Sequence, residues 1–157
     1  VADTPDYLRY KRSRFTTRLP LERLYTASHC WLSEQESGLW RIGMTKFATR
    51  MLGEIVEHDF EVQNDAQVQV GQTIGWIEGF KAASDLYCVA EGIFAGGNPL
   101  LDSDVSLVDK DPYGQGWLYA VSGQPDHQAM DIDQYVKLLD TTIDKLLGDE
   151  ESAPRTE

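Results

Sequence analysis

A lysine set between two β-type segments is the residue best placed to do chemistry. In the run Thr73-Ile-Gly-Trp-Ile-Glu-Gly-Phe-Lys-Ala-Ala-Ser-Asp-Leu-Tyr-Cys-Val89, residues 73–78 and 84–89 have strand character and face each other across Gly79-Phe80-Lys81-Ala82-Ala83. Glycine at the bend permits backbone angles that other residues resist. A short loop between two β-rich runs predicts a hairpin. Lys81 then sits at its tip among small neighbours, with Glu78 and Asp85 on either side. An exposed primary amine presented in this way can be acylated by an enzyme. The plain alternative is a solvated charge on a turn.

Other chemistries find little support. The chain has two cysteines, Cys30 and Cys88, which lack the spacing of a metal site or a disulfide framework. Free, partly buried thiols fit a cytoplasmic protein. The histidines, His29, His58 and His127, are scattered and form no ligand pattern, so no metal is expected. No nucleophile–base pair stands out, and the chain does not read as an enzyme. The net charge of −12 repels phosphate backbones, which argues against nucleic acid. No apolar run is long enough to span a bilayer, and the first thirty residues lack the apolar centre of a secretory signal.

The elements that position Lys81 can be read from periodicity and punctuation. Residues 1–23 carry six basic and three acidic residues, so the remainder sums to −15. This basic arm, poorly periodic to Pro20, suggests a clasp onto the chain itself or onto an acidic partner; the plain alternative is a mobile extension. Residues 39–44 read as a strand. Thr45 offers an N-cap for a helix over 46–52 closed by Gly53, with Phe47, Met51 and Leu52 on its inner side. Residues 54–62 return to strand character. Gly92, Gly96, Gly97 and Asn98-Pro99 break the next strand, and the dense turn signal Asp111-Pro112-Tyr113-Gly114-Gln115-Gly116 precedes a strand over 117–121. Ile132, Tyr135, Val136, Leu139, Ile143, Leu146 and Leu147 recur at helical spacing. Asp131 or Asp133 can cap that helix and Gly148 can stop it. Residues 149–157 are charged and apolar-poor, which predicts a disordered tail. The fold class is mainly β, a small barrel or sandwich with helical decoration.

The ordered motifs resemble the H protein of the glycine cleavage system over residues 24–147. Tyr25-Thr-Ala-Ser-His-Cys-Trp31 resembles the opening motif. Ile42-Gly-Met-Thr-Lys-Phe-Ala48 and Leu52-Gly-Glu-Ile-Val56 resemble the strand–helix–strand passage. Residues Glu78 to Tyr87 resemble the lipoylation hairpin, and Asn98-Pro-Leu-Leu101 with Asp111-Pro-Tyr-Gly-Gln-Gly-Trp-Leu118 resemble the late segments. The resemblance implies a barrel-sandwich hybrid over residues 24–148, with lipoate on Lys81 as an N6-amide. It implies that Glu78, Gly79, Asp85, His29 and Cys30 serve partner recognition and the cleft for the arm. It also implies a lipoate-protein ligase or lipoyl transferase, a lipoyl-reoxidising dehydrogenase and two pathway enzymes as partners. Biotin carriers place methionine on both sides of their lysine; Phe80 and Ala82 stand here instead.

Some residues depart from that family pattern. Cys30 occupies a position where glycine-cleavage members usually hold an acid, Phe80 stands in place of valine, and Cys88-Val89 replaces serine-proline. A thiol is a poorer acceptor than a carboxylate for an amine-bearing cargo. The preferred expectation from these departures is a lipoate-binding protein of sulfur oxidation, working beside a heterodisulfide-reductase-like complex. The alternatives are the ordinary role between glycine decarboxylase and aminomethyltransferase, and an unlipoylated interaction module.

Overall fold

The computed structural model of the protein describes residues 6–152. Strands β1 (Tyr7–Arg12) and β2 (Phe15–Pro20) pair as an antiparallel hairpin. After β3 (Leu24–Tyr25) come β4 (Cys30–Glu36), β5 (Leu39–Met44) and helix α1 (Lys46–Leu52). Next are β6 (Ile55–Phe60), β7 (Gln67–Val68), β8 (Thr73–Gly79), β9 (Ala83–Tyr87) and β10 (Ala90–Gly97). The short helix α2 (Leu107–Lys110), β11 (Tyr119–Pro125) and the long helix α3 (Ile132–Ser152) complete the chain. One sheet has the order β3-β4-β5-β11-β10-β7 and another β6-β8-β9, antiparallel throughout.

Alternation explains why these sheets face each other. Along β10, Ala90, Phe94 and Gly96 turn inward while Glu91, Ile93 and Ala95 face water. Ile74, Ile77 and Leu86 of the three-stranded sheet meet Leu32, Ile42, Phe94 and Val121 of the six-stranded one in the main core. The expected mainly β barrel-sandwich architecture with short helices and a C-terminal helix is present.

A second, aromatic core lies outside that sandwich. Tyr25 stacks on Tyr135 of α3 with ring centroids 4.7 Å apart, and Trp31 Nε1 donates to the Pro112 carbonyl at 2.9 Å. Tyr10, Phe15 and Leu19 of the N-terminal hairpin join this cluster with Leu139 and Ile143. Residues 7–20 of the basic arm therefore clasp the chain's own body. Its charges conceal a two-residue alternation: Tyr10, Phe15 and Leu19 are buried, while Arg9, Lys11, Thr16 and Arg18 are exposed. Tyr10 donates to Asp140 at 2.7 Å, and Arg12 reaches Asp144 through two bonds of 2.6 and 3.0 Å. The arginine pair is exposed and screened by salt. The buried side chains, each worth roughly 1.5–3 kcal/mol, are the larger contribution.

Helix α1 has the expected ends. The Thr45 side chain accepts from Ala48 N, and Gly53 at φ +79° donates back to the Thr49 carbonyl. Phe47 and Leu52 are buried as expected, but Met51 is 50% exposed. The cover that Phe15 and His29 give Phe47 does not reach one turn further. From α2, Asp109 Oδ1 accepts from Ile55 N, and Lys46 Nζ donates to the Asp109 carbonyl, so α2 braces both ends of the α1–β6 passage.

Helix α3 begins at a capping box. Asp131 accepts from Gln134 N, and Gln134 accepts from Asp131 N. The expected stop at Gly148 is not used: the helix runs through it to Ser152. Gly148 lies in open space without the positive φ of a helix-ending glycine. The predicted disordered tail thus begins, over 149–152, as helix, and residues 153–157 lie outside the described residues.

Candidate functional site: the exposed amine of Lys81

Two short-range pairings set the hairpin. Ile77 faces Ser84 and Glu78 faces Ala83, and Gly79 N donates to the Ala82 carbonyl at 2.9 Å. Phe80 and Lys81 therefore occupy the bend, and both are exposed.

Main-chain bonds then fasten that bend to the end of α1. Lys81 N and Ala82 N both donate to the Leu52 carbonyl, at 2.9 and 3.3 Å, and Phe80 N donates to the Glu54 carbonyl at 3.0 Å. A helix end leaves carbonyls without partners, and the bend supplies the missing donors. The contact is close enough to require glycine on both sides. A Cβ on Gly79 would stand 2.2 Å from the Leu52 carbonyl oxygen, and one on Gly53 would stand 2.9 Å from Lys81 Cγ. The Lys81 Nζ lies 3.2 Å from the Arg50 carbonyl in an exposed hydrogen bond. The amine thus lies outside the core, exposed to water.

Glu78, Gly79, Lys81 and Asp85 come together on this one hairpin. Glu78 and Asp85 are exposed, Glu78 lies across the β6–β8 ladder from Glu57, and Asp85 accepts from the Tyr87 hydroxyl at 3.4 Å. The bend therefore carries an acidic flank. Sequence reasoning missed its apolar flank: Phe80 is 76% exposed, with Met51 and Val56 about half exposed on the adjoining segments. It also missed the Arg50 and Leu52 carbonyls, because backbone acceptors leave no mark in residue type. The glycine pair 53 and 79 was the available signal.

His29 and Cys30 lie elsewhere. No hydrogen bond joins either to the hairpin among the described residues. His29, at φ +65°, packs on Phe47 at 4.5 Å, and its Nδ1 shares a 2.8 Å bond with the Tyr135 hydroxyl. That hydroxyl also bonds Thr45 Oγ1 at 2.8 Å. Cys30 pairs with Met44 in the ladder and turns into the main core beside Cys88. It is 8% exposed, and burial pushes its thiol up to about 11. Cys30 is thus a core residue of low thiolate content. Strand register decides this, since one residue of shift exchanges the two faces.

The Tyr135 hydroxyl bridges a helix cap and a histidine in a buried setting. Tyr135→Phe is expected to lower unfolding free energy by about 1–2 kcal/mol, read as a shifted urea midpoint at unchanged slope. Burial lowers the His29 pKa to about 4 from an ordinary 6.5. The folded state then binds fewer protons than the unfolded state between these values, so stability falls as pH drops through that window. Above pH 6.5 both states hold His29 neutral and it adds no slope. Urea titrations at pH 7 and 4.5 are expected to show a larger loss in the parent than in His29→Gln.

The arrangement presents a primary amine on a fixed bend, with no carboxylate in a salt bridge to it among the described residues. Among the described residues no group of three or more His, Cys, Asp or Glu could hold a metal ion, and no helix is long and apolar enough to cross a membrane. Comparison with known proteins gives this geometry a family. The glycine cleavage H-protein family model matches residues 23–142. A glycine cleavage system H protein of Corynebacterium jeikeium is 32% identical over 122 residues, covering 76% of this chain and 95% of that protein. Another from Shigella dysenteriae is 32% identical over 135 residues, covering 85% and 99%. The crystal structure of a glycine cleavage system H protein from Mycobacterium marinum aligns with a TM-score of 0.68 at 30% identity, covering 76% of this chain and 97% of that one. Proteins of this family are carriers with lipoate attached covalently to a lysine, and are not enzymes. A fixed bend that offers one unobstructed amine fits that attachment, and the chain belongs to the glycine cleavage H-protein family.

Proposed function

We propose that Lys81 is the lipoylated residue, modified by a lipoate-protein ligase or lipoyl transferase, and that the loaded chain carries an aminomethyl group from glycine decarboxylase to aminomethyltransferase. A lipoyl-reoxidising dehydrogenase returns it to its starting state. The observation that carries this reading is the Lys81 amine at the outer face of a bend tied to α1 by its own backbone. When attached, lipoate supplies a dithiolane whose reduced form offers two thiols and whose closure passes on two electrons. The chain's own residues do the rest. Leu52 and Glu54 hold the bend through their carbonyls, Glu78 and Asp85 give its flank a negative charge, and Phe80 offers a partner an exposed ring. Tethering raises the local concentration of the carried group at each enzyme.

Intact mass after co-expression with a ligase, followed by peptide mapping, tests the attachment. Incubation of the lipoylated chain with glycine and purified glycine decarboxylase tests the cargo. A lipoyl gain on Lys81 and a further gain dependent on glycine are expected; an unmodified Lys81 beside a fully modified control carrier overturns the reading in favour of an interaction module.

A second reading is a lipoate-binding protein of sulfur oxidation beside a heterodisulfide-reductase-like complex. It rests on Cys30 standing where an acid is usual. The family match and the relatives favour glycine cleavage over it, and a thiol sealed in the core gives Cys30 no direct part in handling sulfur. Lipoylated Lys81 with no glycine-dependent gain would move the assignment to this second reading.

A further inference from the structure

Two guanidinium groups lie over indole rings on the outer side of the six-stranded sheet. Along β4, Leu32 turns into the main core and Trp31 turns the other way, into the aromatic cluster. Trp31 pairs with Gly43 on β5, and its ring takes the room that a side chain there would fill: a Cβ on Gly43 would stand 2.6 Å from Trp31 Cζ2. Arg23 covers the Trp31 ring, with its guanidinium carbon 4.3 Å from the centroid. Arg41 stands two residues before Gly43, on the same face of β5 and roughly 7 Å along the strand. Its guanidinium carbon lies 4.5 Å from the Trp117 centroid.

A cavity of about 480 Å³ is lined by both stacks. Asn98, 3% exposed, fixes another of its walls. Its Nδ2 donates to the Gln115 and Trp117 carbonyls at 2.7 and 2.8 Å, and its Oδ1 accepts from Leu100 N at 3.0 Å. That wall presents the exposed Leu100 as apolar surface. None of the lining residues lies on α1, β8 or β9, so the cavity is apart from the Lys81 bend. Among the residues that line it, Arg23 and Arg41 are the cations and Asp111 is the only acid. Asp111 Oδ2 accepts from Gln115 N at 2.9 Å, and neither arginine forms an ion pair with it. Arg23 Nη1 is the one buried side-chain nitrogen or oxygen without a hydrogen-bond partner among the described residues. Burial lowers the Arg23 pKa, and Asp111 offsets only part of that. A buried N–H left without an acceptor is costly. Stacking occupies the face of a guanidinium and leaves its edge, where a carboxylate binds in the plane through two parallel bonds.

We propose that this cavity binds a small organic acid, with its carboxylate in the plane of Arg23 and its apolar body against Leu100 and Trp117. The volume is that of a site which holds a small molecule whole. The lining carries one more positive than negative charge, a match for a single carboxylate on a chain whose net charge is −12. Arg41 adds to that attraction from the same face of the sheet. The proposal does not rest on lipoylation of Lys81.

The test titrates hydrocinnamate into the full chain, with hydrocinnamide and phenylpropylamine as neutral and cationic counterparts, at an ionic strength held constant with sodium chloride. The readout is the indole N–H resonances of Trp31 and Trp117 in isotope-labelled chain; the Trp31 N–H is anchored on the Pro112 carbonyl at 2.9 Å. Saturable shifts of both are expected for the carboxylate, and none for the amide or the amine at the same concentration. Arg23→Met keeps an unbranched stem over Trp31 and is expected to weaken binding by about tenfold or more. Leu100→Glu, at an exposed position, puts a carboxylate into the cavity and is expected to abolish the shifts at an unchanged melting temperature. Should Arg23→Met fail to fold, Leu100→Glu decides alone. Equal shifts for the carboxylate and the amide overturn the anion site. Unchanged affinity in Leu100→Glu, or no saturable shift with the carboxylate in the parent chain, overturns the cavity as its place.

Discussion

Lys81→Arg is expected to abolish lipoyl acceptance completely while leaving the thermal midpoint within about 2 °C of the parent. The guanidinium keeps the positive charge but stays protonated at working pH and offers no amine to acylate. The fold should not notice, because the bend is fastened by Lys81 N and not by its side chain, whose one bond to the Arg50 carbonyl is exposed. Intact mass after ligase treatment and a melting curve measure the two halves. A lipoyl gain that survives in Lys81→Arg places the acceptor on another lysine. A clear drop in melting temperature gives the Lys81 side chain a structural part.

Gly79→Ala is the largest expected effect on the site that leaves Lys81 in place. The new methyl would sit 2.2 Å from the Leu52 carbonyl oxygen, far inside contact distance. Backbone lies on both sides of that contact, so neither can yield without parting the bend from α1. The loss of packing and of the bonds from Lys81 N and Ala82 N is expected to cost on the order of 2–4 kcal/mol. Ligase turnover on the variant should fall with it, because the amine loses its fixed position. Gly38→Ala makes the control. Gly38 has φ +80° but nothing within 4 Å of a Cβ, so it carries backbone strain of roughly 1 kcal/mol without a clash. Urea unfolding of both variants, with ligase rates under saturating lipoate, separates the two effects. Equal losses at the two positions would show that the approach of Gly79 to α1 is not what holds the bend.

The legible parts of this molecule were those where cause and consequence are neighbours in the chain. Thr45 and Gly53 cap α1 from its own ends, and Gly79 through Ala83 bend within a few residues, so both could be read directly. What escaped depends on distant partners. The Leu52 carbonyl meets Lys81 N across 29 residues, and a carbonyl is the same in every residue. The N-terminal arm looked merely basic because its six basic residues outnumber the buried Tyr10, Phe15 and Leu19 that dock it. Cys30 was linked to the arm cleft through its place between His29 and Trp31 in the opening motif, which says nothing of how β4 and β5 pair and turn the thiol inward. The departures at Cys30, Phe80 and Cys88-Val89 pointed away from glycine cleavage, whereas the relatives are glycine cleavage system H proteins.

Given glycine at 53 and 79, the bend owes its posture to amide nitrogens and carbonyl oxygens, which do not depend on the side chains at residues 80–82. Posture and address are therefore written in separate alphabets. Phe80 and Ala82 enter those bonds through backbone alone, so their side chains can change while the amine remains at the same point in space. A scaffold with this division can exchange the side chains at its tip one at a time, without first having to be rebuilt.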